Sequence, residues 1–350
     1  MPLIRVEAAE AISDLGRFDT IVDARSEGEF AEDRLPGAVN WPSLHDAERA
    51  LIGIEYKQSA FVAKKRGAAL VARNIAAHID THVLDKPRGW TPLVYCWRGG
   101  KRSGALATVL EQIGFRVHVL EGGYREFRRA VVAELATLPE RFDWRVVCGP
   151  TGSGKSRLLA ELARQGAQVL DLETLANHRG SVLGLVPGSR QPSQKEFDTR
   201  IWDALRRLDP ARAVFVESES KKVGDLRVPE ALIGRMRAAP CVWLELALAQ
   251  RVALLIDDYD FFVRDNDAFC ARLDALRVLR GKEVVAAWQD AARAGRTAEV
   301  VEALLVTHYD PIYLESMRRN FAGLGTPVAA LRWDGSEASL REAAAAATEA

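Results

Sequence analysis

Apolar residues in this chain fall into short unbroken runs, separated by longer stretches where they recur every three or four positions. The runs "DTIVDAR" (19–25), "TPLVYCW" (91–97) and "RVHVLEGG" (116–123) have the length and β-branched content of buried strands, and each ends in a turn or loop. Between them, 60–79 and 103–113 carry the helical period. The same plan resumes further on, with strands predicted at 145–149, 167–173, 212–218 and 240–246 and helices at 155–164, 194–208, 228–238 and 247–257. Buried strands alternating with helices predict an α/β protein with parallel sheets covered by helices. From 266 to about 320 the chain reads as helical throughout, with Leu273, Leu276 and Leu279 at helical spacing. The Ala-rich "SLREAAAAATEA" (339–350) predicts a terminal helix that frays. There is no internal repeat and no long low-complexity linker.

The polar, proline-containing "ATLPERFDW" (136–144) precedes a fresh strand, "RVVCG", and marks a boundary between a domain at 1–137 and one at 140–350. A chain of 350 residues suits two separate cores. Hydrophobic content of 48% and charged content of 27% are ordinary for a globular protein. Lys plus Arg and Asp plus Glu are both 48, so the balance neither requires nor excludes a nucleic-acid partner. Four cysteines without a CxxC pair argue against a disulfide framework and against a zinc site. The N-terminal "MPLIRVEAAEAISDLG" lacks a signal-peptide core, and no stretch of about 18 uncharged apolar residues exists to span a membrane. A cytoplasmic, reduced protein is expected.

Chemistry concentrates in two loops. "YCWRGGKRSG" (95–104) runs from the end of a predicted strand into a predicted helix. Such a junction presents free backbone N–H groups, and the helix dipole adds partial positive charge. Gly99 and Gly100 let those N–H groups converge, while Arg98, Lys101 and Arg102 add formal charge around Cys96, with Ser103 at the helix start. Each effect favours a thiolate, and together they suit a nucleophilic sulfur beside a bound oxyanion. Cys148, Cys241 and Cys270 lie in apolar patterns and read as buried, inert core residues.

Upstream, "VDARSEGEFAEDRLPGAVNWP" (22–42) resembles the rhodanese entry motif, with Asp23 and Arg25 at a strand end and "LPGAVN" after it. Entry motif and cysteine loop occur in the family's order, and the resemblance covers about residues 4–132. Cys96, Gly99, Arg102 and Ser103 also fit CxxGxxRS, the phosphate loop of cysteine phosphatases, some of which share the rhodanese fold. A phosphatase would place His where this chain has Tyr95, and has no need of the second loop described next.

That second loop is "GPTGSGKS" (149–156), which satisfies GxxxxGK[ST] between a predicted strand and helix. Gly149, Gly152 and Gly154 offer backbone N–H groups to a diphosphate, Lys155 reaches its oxygens, and Ser156 is placed to hold Mg²⁺. Glu217 and Glu219 in "AVFVESES" stand at the strand end where an NTPase usually carries Asp, which weakens ordinary ATP hydrolysis without weakening diphosphate binding. Asp171, Glu173, His178 and Arg179 follow another strand closely. His178 is open to two readings, a base or a polar loop residue. Lys221 and Lys222 are either phosphate contacts or a solvated charge run, and the aromatics of "DDYDFFV" (257–263) either line an apolar pocket or fill core.

A rhodanese domain joined to a P-loop domain, with "YCWRGGKRS", "GPTGSGKS", "LANHRGS", "VESESKKVG" and "HYDPIY", resembles the bacterial tRNA 2-selenouridine synthase family over nearly the full chain. The fold this implies is α/β: an N-terminal rhodanese-like domain, then a P-loop NTPase-like parallel-sheet domain with a helical tail. The resemblance implies replacement of sulfur by selenium at a wobble 2-thiouridine of tRNA. It implies S-geranylation from geranyl diphosphate at the P-loop, then selenium delivery from selenophosphate at the Cys96 loop. It implies no tightly bound cofactor, with Mg²⁺ at Ser156 the one ion the P-loop motif suggests, and contact with an enzyme that supplies selenophosphate. A tRNA ligand calls for a basic surface, with candidates Lys64, Lys65 and Arg66 in the first domain and Arg277, Arg280, Lys282, Arg318 and Arg319 in the tail. The alternatives are an ATP-dependent tRNA sulfurtransferase, the rhodanese-fold cysteine phosphatase, and a non-enzymatic, nucleotide-gated sulfur carrier that binds a protein partner.

Overall fold

The computed structural model describes residues 3–178, 190–258 and 265–350. The chain divides into two compact units, Met1–Ala136 with Pro192–Asp203, and Thr137–Gln191 with Ala204–Ala350. The segment Pro192–Asp203, which its position in the sequence places in the second domain, packs instead with the first. The reason is visible in its side chains. Trp202 is fully buried with its ring 5.7 Å from Phe127, and Arg128 pairs with Asp198.

The first unit holds a sheet of five parallel strands, β1 (Ile4–Val6), β2 (Thr20–Asp23), β3 (Ala38–Asn40), β4 (Pro92–Tyr95) and β5 (His118–Leu120), in the order β1-β5-β4-β2-β3. β4 is central and buried along its whole length, as an uninterrupted apolar run requires. Its core gathers Val22, Val94, Leu106, Leu110, Val119 and Cys96. The helix Lys101–Ile113 begins two residues earlier than its period indicates, and the helix Ala60–His82 runs three residues further.

The second unit holds β6 (Trp144–Cys148), β7 (Gln168–Leu170), β8 (Val214–Glu217), a short antiparallel pair β9 (Lys222–Val223) and β10 (Leu226–Arg227), β11 (Cys241–Glu245) and β12 (Ala329–Arg332). The main sheet is parallel, in the order β12-β11-β6-β8-β7.

Two expectations for the tail are corrected. The helical stretch is not continuous: it divides into Asn266–Asp274, Arg277–Arg280, Lys282–Arg293, Thr297–Leu304 and Asp310–Asn320, with Gly281 and Gly295 at two of the breaks. Leu273 and Leu276 enter a core with Val285, Trp288 and Leu304, whereas Leu279, in the short helix Arg277–Arg280, is 66% exposed and outside it. The terminal helix Glu337–Thr348, expected to fray, is docked along one face. Ser336 caps it, and Ala343, Ala344 and Ala347 are buried in the cluster that contains Leu158, Leu159 and Leu162, their small side chains allowing close helix approach.

Candidate active site loops

β4 delivers Cys96 to the carboxyl end of the first sheet, where the loop Trp97–Gly100 leads into the helix Lys101–Ile113. The sulfur is buried, 3% exposed, and Ser103 Oγ lies 3.1 Å from Sγ as a hydrogen-bond donor. Gly99 has φ +62°, and a Cβ there would meet the Leu120 carbonyl oxygen at 2.5 Å, so only glycine fits this turn. Gly100 has negative φ and open space around it; nothing in its surroundings demands glycine. The loop is tied down by Tyr124, whose N–H donates to the Cys96 carbonyl at 2.8 Å, and by Arg125, whose N–H donates to Trp97.

The three cations of the loop do not act alike. Arg102 forks onto Glu29 at 2.6 and 3.4 Å, and Arg49 approaches the same carboxylate at 3.5 Å. Burial works to raise the Glu29 pKa, but Arg102 and Arg49 prevail and hold it below the ordinary value. Arg98 and Lys101 are exposed and make no ion pair among the described residues. They are therefore the free charges available to an incoming anion. Beside the loop is a cavity of about 440 Å³ lined by Gly28, Glu29, Asp46, Arg49, Trp97 and Arg102, among others, but not by Cys96 itself.

Asp23 and Arg25 are structural. Both are buried, and the Arg25 guanidinium donates to both carboxylate oxygens of Asp23, to the Asp33 carbonyl at 2.6 Å, and lies 4.0 Å from the Tyr124 ring centre. Tyr95, standing where a phosphatase carries His, is fully buried and its hydroxyl accepts from the Leu35 N–H at 3.2 Å.

In the second unit β6 ends at Cys148, and residues 149–154 wrap into the helix Lys155–Arg164. Gly154 has φ +87°, and a Cβ there would strike the Trp333 ring at 2.4 Å; a Cβ on Gly149 would lie 2.5 Å from the Leu244 carbonyl oxygen. Trp333 Nε1 donates to the Ser153 carbonyl at 2.8 Å. Arg251 adds a second tether, donating through Nε to the Thr151 carbonyl at 2.8 Å and, in a fork, to Asp310 at 2.6 and 2.9 Å. The loop is thus held open by side chains far away in sequence.

Lys155 is buried and donates to the Gly149 carbonyl at 3.1 Å, 3.7 Å from Glu217 and 5.0 Å from the Tyr313 ring centre. Burial opposes its charge, but Tyr313 and the carboxylates of Glu217, Glu173 and Glu219 more than offset this and raise its pKa. Ser156 Oγ lies 3.1 Å from both Glu173 and Glu217. Glu173, Glu217 and Glu219 bring carboxylate oxygens within 4.8 Å of one another. Burial first, and mutual repulsion second, push Glu173 up to about 9 and Glu219 to about 8. Three crowded, desolvated carboxylates beside a serine hydroxyl form an all-oxygen donor set that suits Mg²⁺. Glu173 belongs to this set, although its sequence position marks it only as a neighbour of Asp171.

Loop, lysine and carboxylates open on a cavity of about 730 Å³, which Leu254, Leu255, Tyr309 and Tyr313 line on an apolar side. Asp171 also lines it, but its carboxylate caps the helix Leu172–Leu175 by accepting from Thr174 N and Oγ1 at 2.9 and 2.7 Å. His178 lines the cavity, is buried, and has an Nδ1 without a partner among the described residues; burial lowers its pKa. Arg179 and Tyr259–Val263 lie outside the described residues. Lys221 and Lys222 are exposed and do not line the cavity. Tyr313, Arg251 and Asp310 were missed as site residues. "HYDPIY" carries two of them, but only the fold brings that segment to the P-loop.

Cys148, Cys241 and Cys270 are buried and free, as their apolar surroundings predict. No helix among the described residues is long and apolar enough to cross a membrane.

Comparison with known proteins recognises both halves of the chain. A family profile for the rhodanese-like domain matches residues 6–130, and one described as the tRNA 2-selenouridine synthase AAA domain matches 142–278. A tRNA 2-selenouridine synthase of Nitrosomonas europaea is 36% identical over 68% of this chain, the match spanning 63% of that protein. Those of Marinobacter nauticus and Bdellovibrio bacteriovorus are 31% and 30% identical over 84% and 85% of the chain, spanning 87% and 89% of their lengths. On these grounds the chain belongs to the tRNA 2-selenouridine synthase family.

Proposed function

We propose that this protein exchanges sulfur for selenium at the wobble 2-thiouridine of tRNA, in two steps divided between its two loops. In the first, the 2-thio sulfur attacks C1 of geranyl diphosphate, the C–O bond breaks and diphosphate leaves. The P-loop N–H groups and Lys155 stabilise the departing charge, which is an oxyanion-type contribution. Leu254, Leu255 and Tyr309 supply the apolar wall a geranyl chain needs. Mg²⁺ held by Ser156 and the Glu173, Glu217 and Glu219 carboxylates would neutralise diphosphate charge. Alkylation turns a poorly leaving sulfur into a thiol that departs readily.

In the second step the Cys96 loop binds selenophosphate as a phosphate-like anion through its N–H groups, Arg98 and Lys101. Attack of the Cys96 thiolate at phosphorus breaks the P–Se bond and frees selenide without any oxidant; water then cleaves the S–P bond to give phosphate. Selenide adds at C2 of the base and geranylthiol leaves. Ser103 Oγ, 3.1 Å from the sulfur, stabilises the thiolate before attack and as it leaves phosphorus.

The observation that carries this reading is the pairing, in one chain of this family, of a buried cysteine in a cationic loop with a P-loop that opens on a partly apolar cavity. A cavity with three carboxylates beside Ser156 also accommodates a nucleoside triphosphate with its metal, which favours the ATP-dependent sulfurtransferase as the second reading. One experiment separates them: incubation of thiolated tRNA with selenophosphate and either geranyl diphosphate or ATP, then nucleoside mass analysis. S-geranyl-2-thiouridine and 2-selenouridine are expected with geranyl diphosphate alone. Cys96→Ala is expected to retain the geranylated nucleoside and lose the selenated one. Selenation that requires ATP and ignores geranyl diphosphate would refute the scheme.

A further inference from the structure

The helix Asp46–Gln58 buries none of its side chains, and Ala60–His82 buries only Ala63, Asn74 and Ile75. A single residue, Ser59, joins them. Asn74 donates to Glu48 at 2.7 Å, Gly67 faces Ile52, and Arg66 pairs with Glu55, so the two helices run antiparallel as an arm of the first unit. Asp46 and Arg49, at the base of this arm, line the cavity beside Trp97 and Arg102. A helix of 13 residues rises about 20 Å, which sets the distance from that cavity to the tip.

The tip is unusual in what it leaves uncovered. Ile54, Tyr56, Phe61 and Val62 are 60%, 53%, 71% and 49% exposed. Four large apolar side chains exposed within nine positions, rimmed by charged ones, have the make-up of an interaction surface. Between Glu55 and Arg66 the chain carries four cations, Lys57, Lys64, Lys65 and Arg66, and one carboxylate, Glu55, which Arg66 already neutralises. Lys57, Lys64 and Lys65 make no ion pair among the described residues, and Lys65 Nζ sits 5.0 Å from the Phe61 ring centre. In the tail, Arg277 is tied to Asp274 at 2.9 Å, Arg319 to Glu315 at 2.6 Å, and Arg280 donates to His308 at 3.0 Å. Among the described residues Lys282 and Arg318 are exposed and without an ion pair too, but no exposed aromatic side chain lies between 277 and 319 to stack a base. Exposed aromatic faces interleaved with unpaired cations match a polyanion whose bases are free to stack, which describes a single-stranded RNA loop.

We propose that the tip of this arm is the docking surface for a tRNA loop, with Tyr56 and Phe61 as stacking faces and Lys57, Lys64 and Lys65 as phosphate contacts. It rests on the reading that tRNA is the substrate and adds where the RNA is held, about one helix length from the Cys96 loop.

The test uses the full chain and a fluorescein-labelled in vitro tRNA transcript with uridine at the wobble position, titrated by anisotropy between about 50 and 200 mM KCl. Lys64→Ala with Lys65→Ala is expected to weaken binding and to reduce the slope of log affinity against log salt by about 1.4, at about 0.7 per lost contact. Lys64→Arg with Lys65→Arg restores the slope. Tyr56→Ala with Phe61→Ala is expected to weaken binding roughly 5- to 100-fold per stacked ring with the slope unchanged. All four side chains are exposed, so circular dichroism and melting should match the unaltered chain. Wild-type affinity and slope in both alanine pairs would overturn the arm while leaving tRNA as substrate. Unmoved RNA affinity together with loss of a dimer in sedimentation, or loss of binding to anionic phosphatidylserine vesicles, would overturn it in favour of a second copy or a membrane. No binding of the transcript by the unaltered chain would overturn both the arm and the reading beneath it.

Discussion

The carboxylate trio makes the second unit sensitive to pH in a direction opposite to most proteins. Glu173 is pushed up to about 9 and Glu219 to about 8, chiefly by burial, whereas an unfolded glutamate titrates near 4.3. Between these values the folded chain binds protons that the unfolded chain has lost. Stability is therefore complete below the unfolded value and declines as pH rises through the folded ones. One such group gives a slope of about 1.4 kcal/mol per pH unit, and both give about 2.7 kcal/mol, over the window from about pH 5 to 8. Glu173→Gln removes one of these titrating groups and puts a neutral side chain of the same shape in its place. Its urea midpoints, measured from about pH 5 to 9, should fall less steeply, by about 1.4 kcal/mol per unit, and it should be the more stable form at the alkaline end. Mg²⁺ with inorganic pyrophosphate should flatten the wild-type profile too, since the cation replaces the protons. Parallel profiles for the two proteins would refute the argument that these carboxylates are held protonated by one another and by burial.

Lys155→Ala removes the cation that lies 3.7 Å from Glu217, and should lower geranyl diphosphate affinity about 10- to 100-fold, the cost of a lost charge-assisted contact, as measured by calorimetry. Arg251→Ala leaves the half-buried Asp310 carboxylate and the Thr151 carbonyl without this donor and should cost about 1–3 kcal/mol in urea unfolding, the usual penalty for stranding such an acceptor. Gly99→Ala should destabilise the first unit by about 1–3 kcal/mol through its left-handed turn and the Leu120 carbonyl, whereas Gly100→Ala should cost clearly less, and paired melting curves check both.

Much of this architecture is legible in the sequence because parallel sheets demand unbroken apolar runs. β4 and β8, buried at every position, stand out in that way, and so do the glycine loops that follow strands. β1, β3 and β12 do not. They are three or four residues long, lie at sheet edges, and show mixed exposure, so no run marks them. The tail core is legible at Leu273 and Leu276 but not at Leu279, which shares their spacing and yet lies in a separate four-residue helix with its side chain exposed. Charge was harder to read than hydrophobicity. Arg98, Lys101 and Arg102 look equivalent along the chain, yet Glu29, more than seventy residues earlier, claims only the last. Asp171 looks like a site acid and is a helix cap, while Glu173, two residues on, joins the trio. These distinctions depend on which side chains the folded backbone brings together, and a linear pattern does not contain them.

The hydrogen bond from Trp333 to the Ser153 carbonyl joins residues 180 positions apart. A ribosome adding about 5–20 residues per second takes on the order of ten seconds or more to travel that distance. Throughout that interval the nascent P-loop lacks the indole that shapes it and the outermost strand of its sheet. The shape of the glycine loop is therefore completed only after Trp333 has been translated, and not as the glycines themselves emerge.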